Sequence, residues 1–344
     1  MFFLFNLSKI YFGIFHINKA KKMKIIISDD YQRAIESLEC FHKIAHHDVV
    51  IHNNTVFETE DLVKRFYEAE GIVLIRQRTK INEELLSKLP NLKIISATGA
   101  NYAGHIDVEA CSKYNVAVAA GGSGTRSTCE LAWGLIISSM RSIPKEVSSL
   151  KNGGWQSSLG EDLNGKTIGI YAYGKIGRQM AQIANAFNMN VLIWGRESSM
   201  EKAQEDGFNF AKNREYFFST SDIISIHLPL KKETEGIITS EDLALMKTNS
   251  VFVNTSRAKI IKSGDLEKAL LEGRPGFACV DVYEKEPIYN SQNSFIQMKN
   301  TLCTPHLGYV TRGTYEKYFG LAFDQINSFC EGKPINLVNP EILK

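Results

Sequence analysis

The run GIYAYGKIG at residues 169–177 ends an apolar stretch, TIGIY, and leads into a stretch of helical periodicity, RQMAQIANAF. Strand, tight turn and helix in immediate succession mark the entry to a β-α-β unit whose helix N-terminus can receive a diphosphate on free N–H groups. The fingerprint for that task reads G-x-G-x-x-G, but here Ala172 holds the first place, while Gly174 and Gly177 keep the other two. The three glycines have separate duties: a tight turn, close approach of the pyrophosphate to the backbone, and close packing of helix on strand. Alanine is the smallest departure at the turn and is tolerated there with a negative φ, so the site is expected to survive.

The rest of the chain fits this frame. From Met23 onward, short β-branched runs (KIIIS, GIVLI, KIIS, VAVAA) alternate with amphipathic stretches, as in a parallel α/β sheet. A second series, TIGIYAY, NVLIWG, IISIHL, SVFVN, GFACVDV and TLCTP, reads as six strands of a doubly wound nucleotide-binding sheet. Between the two series, Ser127 to about Ser149 reads as one long, well-buried helix. The glycine turn lies mid-chain, which implies a cofactor domain (121–310) inserted in a substrate domain (23–120 with 311–344). Two Rossmann-like or flavodoxin-like domains follow, and 344 residues suffice for two cores. In residues 1–22 the charge follows the apolar part and no small-residue cleavage site appears, which argues against a signal peptide; with the first strand starting directly after Met23, they read as a disordered extension or an upstream start, the alternative being a membrane-surface anchor.

A net charge of +2 spread along the chain excludes a nucleic-acid footprint, and the N-terminal apolar run is too short and interrupted to span a membrane. Six dispersed cysteines, with no CxxC and no Cys/His cluster, point to reduced thiols, a cytoplasmic setting and no structural metal.

Downstream of the turn come NTSRAKII (254–261), ACVDVYEKEP (278–287) and TPHLGY (304–309). In this order, and with SDIISIHLPLKKETEGIITSEDLALMKTNSVFVNTSR before them, they resemble the D-2-hydroxyacid dehydrogenase family, from about Met23 to the end. That family includes phosphoglycerate, glyoxylate/hydroxypyruvate and D-lactate dehydrogenases. The resemblance implies hydride transfer between a nicotinamide cofactor and a small 2-keto or 2-hydroxy acid. Arg257 would hold the substrate carboxylate and carbonyl, His306 would act as general acid/base, and Glu286 would be its carboxylate partner. These types suit the chemistry: charge builds on the carbonyl oxygen, so a proton donor titrating near neutrality and a fixed cation lower the barrier. The same resemblance places Lys175, Ile176, Pro229, Thr234, Thr255, Asp281 and Gly308 with Gly174 and Gly177 at the cofactor, Asp281 near the nicotinamide carboxamide.

In the N-terminal part, SATGANYAGHID (96–107) resembles the family's substrate loop, whose N–H groups near Gly99 and Ala100 would face the substrate carboxylate. Asn101 and Ala258 stand where the family pattern has glycine. IRQRT (75–79) resembles the phosphoglycerate dehydrogenase segment that brings two arginines toward a phosphate; on an extended segment, Arg76 and Arg78 would share a face. At the end of the second cofactor-domain strand, NVLIWGRESS carries no carboxylate at Gly195, where a ribose-binding acid is expected. Arg196 and Ser198 follow, with Glu197 turned to the opposite face if the segment stays extended, so NADP(H) is expected over NAD(H). The family uses the region of the long helix to form two-fold dimers, and a homodimer is expected. The competing reading is a cofactor-sensing interaction protein of the corepressor type, which can keep the same residues.

Overall fold

A computed structural model describes residues 22–122, 124–289 and 293–343, so the N-terminal extension, Lys22 apart, lies outside the described residues. The chain divides into two compact units, one running up to Gly121 and resuming at Phe319, the other spanning Gly122–Tyr318.

The first unit holds a sheet of five parallel strands, β1 (Lys24–Ile27), β2 (Asp48–Ile51), β3 (Gly71–Leu74), β4 (Ile94–Thr98) and β5 (Ala117–Gly121), in the order β2-β1-β3-β4-β5. Every residue of β3 and β4 is buried, as expected of parallel strands covered on both faces. Helices α1 (Thr59–Phe66), α2 (Glu83–Leu86) and α3 (Val108–Lys113) pack beside them, and Asn82 and Asp107 cap α2 and α3 through their side chains.

The second unit opens with α4 (Arg126–Met140) and α5 (Ile143–Lys151). Its sheet has seven parallel strands, β6 (Thr167–Tyr171), β7 (Asn190–Trp194), β8 (Asn209–Phe210), β9 (Ile223–Ile226), β10 (Val251–Asn254), β11 (Phe277–Val280) and β12 (Thr301–Cys303). Their order, β12-β11-β10-β9-β6-β7-β8, reverses direction at β6, the strand that feeds the glycine turn. Helices α6 (Lys175–Ala186), α7 (Glu197–Glu205), α8 (Arg214–Thr220), α9 (Ser240–Ala244), α10 (Asp265–Leu271) and α11 (Ser294–Gln297) complete it. Phe217, Phe218 and Phe252 are fully buried on the sheet, each contributing about 2–3 kcal/mol by transfer from water. A final helix, α12 (Arg312–Cys330), carries the chain back into the first unit, where Ser96 of β4 donates a 2.7 Å hydrogen bond to Gln325.

The single long helix expected from Ser127 is instead two. α4 buries Cys129, Ala132, Trp133, Leu135, Ile136 and Met140, and then the chain turns through Ser142 at φ +50°. Pro144 sits in the first turn of α5, where its missing N–H is harmless; one turn deeper in a continuous helix it would remove a hydrogen bond. α5 buries none of its residues.

Cys40 and Cys111 are buried in the first unit and Cys129 and Cys279 in the second, all unpaired. Burial pushes the thiols of Cys111 and Cys279 up to about 12 and that of Cys129 to about 11. Among the described residues no helix is long and apolar enough to cross a membrane.

Candidate active site

In the second unit the carboxyl ends of β6, β10, β11 and β12 carry the motifs found in the sequence. At β6 the strand stops at Tyr171, and Ala172, Tyr173 and Gly174 turn the chain into α6, with Gly174 as N-cap at φ −90°, ψ −160°. A Cβ on Gly177 would lie 2.2 Å from the Ala172 carbonyl oxygen, so close packing of turn and helix forbids any side chain there. A Cβ on Gly174 would meet no protein atom within 4 Å. Its bareness therefore serves something outside the fold, and the first-turn N–H groups of α6, which have no intrahelical acceptor, point the same way. Ala172 departs from expectation: its φ is +79°, not negative. The turn keeps the left-handed shape that glycine adopts freely, at a cost of about 1–2 kcal/mol for an L-residue.

At the end of β7, Arg196 is the last extended residue (φ −69°, ψ 156°) and occupies the N-cap position of α7, with Glu197 already the first helical residue. The alternation of faces expected along NVLIWGRESS therefore ends at this junction. Arg196, Glu197 and Ser198 are all exposed. Past β9, Thr234 donates to the Pro229 carbonyl at 2.6 Å and accepts from the Lys231 N–H at 2.8 Å, closing that loop on itself.

Past β10, Thr255 is buried and its hydroxyl finds no hydrogen-bond partner among the described residues. Arg257 is part-buried, donates to the Ser256 carbonyl at 2.7 Å and accepts the Asn254 side-chain amide on its own carbonyl at 3.0 Å. Ala258 begins a short 3₁₀ turn directly after it.

The two remaining strand ends meet. His306 Nδ1 lies 2.6 Å from Glu286 Oε2, and Glu286 Oε1 accepts the Tyr283 N–H at 2.8 Å. Both oxygens of Glu286 are thereby directed, and Nε2 is the ring nitrogen that remains for a substrate. The imidazole packs edge-on against Tyr309 at 5.4 Å, with its backbone at φ +52°. Asp281 lies beneath this loop with no exposed surface, accepting Thr304 Oγ1 at 2.6 Å and the N–H groups of Leu307 and Gly308 at 2.8 and 3.0 Å. Burial raises its carboxyl above the usual range, while those three hydrogen bonds and the nearby His306 work in the opposite direction. Asp281 thereby ties the end of β11 to the loop that carries His306. Gly308 completes the tie by accepting Thr128 Oγ1 at 2.9 Å.

In the first unit the expected substrate residues are differently disposed. The Gly99 N–H donates to the Gly121 carbonyl at 2.7 Å, and Gly99 itself is at φ +92°. Ala100 beside it is exposed. The IRQRT segment is a turn and not an extended strand: Arg76 sits at φ +56° and its guanidinium lies against Gly99. Arg78 stacks 4.2 Å over the Tyr31 ring and donates to the Asp29 carbonyl at 2.6 Å. His105, in the same loop as Gly99, is buried with neither ring nitrogen partnered, and burial lowers it to about 4, so it is neutral. Its buried state had no signal in the sequence.

The comparisons with known proteins agree with this geometry. Residues 133–308, more than half of the chain, match the family described as D-isomer specific 2-hydroxyacid dehydrogenase, NAD binding domain. A glyoxylate reductase of Thermococcus litoralis is 33% identical over 82% of this chain and 93% of that protein. A D-3-phosphoglycerate dehydrogenase of Methanocaldococcus jannaschii is 31% identical over 92% of this chain but only 59% of its own length. Among solved structures, a phosphoglycerate oxidoreductase of Vibrio cholerae superposes with a TM-score of 0.87 at 42% identity, covering 90% of this chain and 99% of that one. The strand order, the glycine turn and these similarities lead to one conclusion: the chain belongs to the D-isomer specific 2-hydroxyacid dehydrogenases, enzymes that pass hydride between a nicotinamide cofactor and a 2-hydroxy or 2-keto acid.

Proposed function

We propose that His306, Glu286 and Arg257 form the reducing site for a small 2-keto acid such as glyoxylate or hydroxypyruvate. The observation that carries this reading is the 2.6 Å pair of His306 and Glu286, held beyond the carboxyl ends of β11 and β12 in the same sheet whose β6 feeds the glycine turn. Gly174, Lys175, Ile176 and Gly177 would receive the pyrophosphate, and Thr255 the nicotinamide end. The bound reduced cofactor supplies the hydride. Arg257 holds the substrate carboxylate and draws charge onto the carbonyl oxygen, His306 delivers a proton from Nε2 to that oxygen, and Glu286 fixes the orientation of the ring. The product is the 2-hydroxy acid, with the imidazole left neutral.

A phosphate ligand on Arg78 would compete with its stacking on Tyr31 and its hydrogen bond to the Asp29 carbonyl. Assays with glyoxylate, hydroxypyruvate, pyruvate and phosphohydroxypyruvate, each with NADH and NADPH, test this. We expect turnover of glyoxylate or hydroxypyruvate, with kcat/KM for phosphohydroxypyruvate no higher than for hydroxypyruvate. Several-fold preference for the phosphorylated acid would restore Arg76 and Arg78 as a phosphate pair, and turnover of none would sink the reading.

The preferred cofactor is NADPH, supported by Arg196 and the Ser198 hydroxyl at the start of α7 and by the missing carboxylate at Gly195. The working form is a homodimer. The support comes from α5 and the segment after it: Ile143, Val147 and Leu150 are spaced to share one helix face and are all exposed, and Trp155 and Leu159 follow at 77% and 96% exposure. A face of this kind suits a second copy bearing the same face across a two-fold axis. Light scattering at micromolar concentration should give twice the chain mass, and Trp155→Asp with Leu159→Asp should give the monomer; a wild-type monomer contradicts the assignment.

A further inference from the structure

Tyr173 occupies the middle of the glycine turn, where the fingerprint sets no side-chain requirement, yet its side chain is buried at 4% exposure. Its ring lies 6.1 Å from that of Phe208, and its hydroxyl donates to Asp206 Oδ2 at 2.7 Å. The other oxygen of Asp206 accepts Arg178 Nη2 of α6 at 2.6 Å, and Asp206 is itself the C-cap of α7. Turn, α6 and α7 thus converge on one carboxylate. The phenol remains a donor, since burial and then the bond to Asp206 push it above its ordinary range.

The anchor stands beside the one strained residue of the turn. Ala172, at φ +79°, precedes Tyr173 directly, and the Gly177 packing requires its carbonyl to stay where it is. An alanine there drifts toward negative φ unless its surroundings hold it. We propose that Tyr173 is the positioning residue of the cofactor turn: through Asp206 and Arg178 its buried hydroxyl holds the backbone at 172–174 in the left-handed shape that glycine would adopt unaided. The hydroxyl touches neither cofactor nor substrate. It acts on affinity by keeping the N–H groups ahead of α6 aimed at the pyrophosphate, and it acts alike on both nicotinamide cofactors because the diphosphate is common to them. The inference rests on the turn's binding a dinucleotide, as proposed above.

The test uses the full chain, with binding of NADH and NADPH followed by quenching of protein fluorescence, beside melting temperature and kcat at saturating cofactor. Tyr173→Phe keeps the ring and removes the hydroxyl. It should weaken both cofactors by about tenfold, the loss expected for a hydrogen bond to a charged group, while kcat at saturation stays within about twofold. Asp206→Asn should do the same more mildly. The discriminating variant is Ala172→Gly: alone it should change affinity by less than about threefold, and combined with Tyr173→Phe it should return most of the lost affinity, because glycine needs no anchor. Equal affinity of Tyr173→Phe and wild type overturns the proposal. So does a loss that is the same with alanine or glycine at 172, which would make the hydroxyl ordinary support of the core. If Tyr173→Phe melts too low to assay, the comparison is made with Asp206→Asn and its Ala172→Gly double variant, read by the same rule. A wild-type protein that binds neither cofactor would instead overturn the dehydrogenase site, a result the variants cannot mimic.

Discussion

Replacing His306 by alanine is expected to lower kcat for 2-keto acid reduction by about a hundredfold or more, with cofactor affinity nearly unchanged, as loss of a general acid implies. The geometry makes the expectation specific. Nδ1 is committed to Glu286, so only Nε2 can serve the substrate, and among the described residues no other imidazole stands at the ends of β11 and β12 to replace it. His306 sits at φ +52°, so alanine adds backbone strain to the chemical loss. His306→Asn separates the two, because asparagine takes left-handed conformations more readily than most residues; it should be as inactive as alanine while melting closer to wild type. Glu286→Gln should lose less than either, since the ring remains but is less firmly oriented. Full activity in both His306 variants, measured by oxidation of the reduced cofactor, would remove the proposed mechanism.

The wild-type enzyme is expected to use NADPH at least tenfold better than NADH in kcat/KM, and Arg196→Ala should abolish most of that ratio. A charge-assisted contact between guanidinium and a 2′-phosphate is worth about 1.5–3 kcal/mol, which is roughly tenfold to more than a hundredfold. Arg196 occupies the N-cap position of α7 without a side-chain capping bond, so a phosphate beside it would also meet the helix N-terminus and the Ser198 hydroxyl. Glu197, one residue on and equally exposed, works the other way. Its removal in Glu197→Gln should raise NADPH efficiency further and leave NADH efficiency level. Equal or better kcat/KM with NADH in the wild type would assign the ribose hydroxyls to Glu197 and refute the preference.

Much of this architecture could be read from residue order because parallel strands announce themselves as unbroken apolar runs: β3, β4, β6, β9 and β10 are all but wholly buried, and each overlaps a run identified in the sequence, β4 running two residues past KIIS. Two of the four edge strands, β2 and β8, escaped for the complementary reason. β2 has no fully buried residue and β8 is two exposed residues, so neither leaves a hydrophobic signature. The break after α4 did leave a signal in Pro144, outweighed by apolar spacing on both sides. At the site, His306, Glu286 and Arg257 were legible because motifs in family order specify residue types. Backbone angles and side-chain loyalties were not. Nothing in the letters YAYG says that Ala172 is left-handed or that Tyr173 faces inward to Asp206, and nothing in IRQRT reveals that Arg78 is engaged by Tyr31. Such facts depend on partners tens of residues away.

The unpaired thiols give the two units separate clocks. Cys40 and Cys111 report on one and Cys129 and Cys279 on the other, and a reagent in solution reaches these buried sulfurs only when the surrounding structure opens. Alkylation followed by peptide mass mapping would therefore time the breathing of each unit in a single sample, without an introduced label. Because a ligand slows opening by mass action in whatever it binds, adding a nicotinamide nucleotide and asking which pair of cysteines becomes slower would locate its docking by kinetics alone.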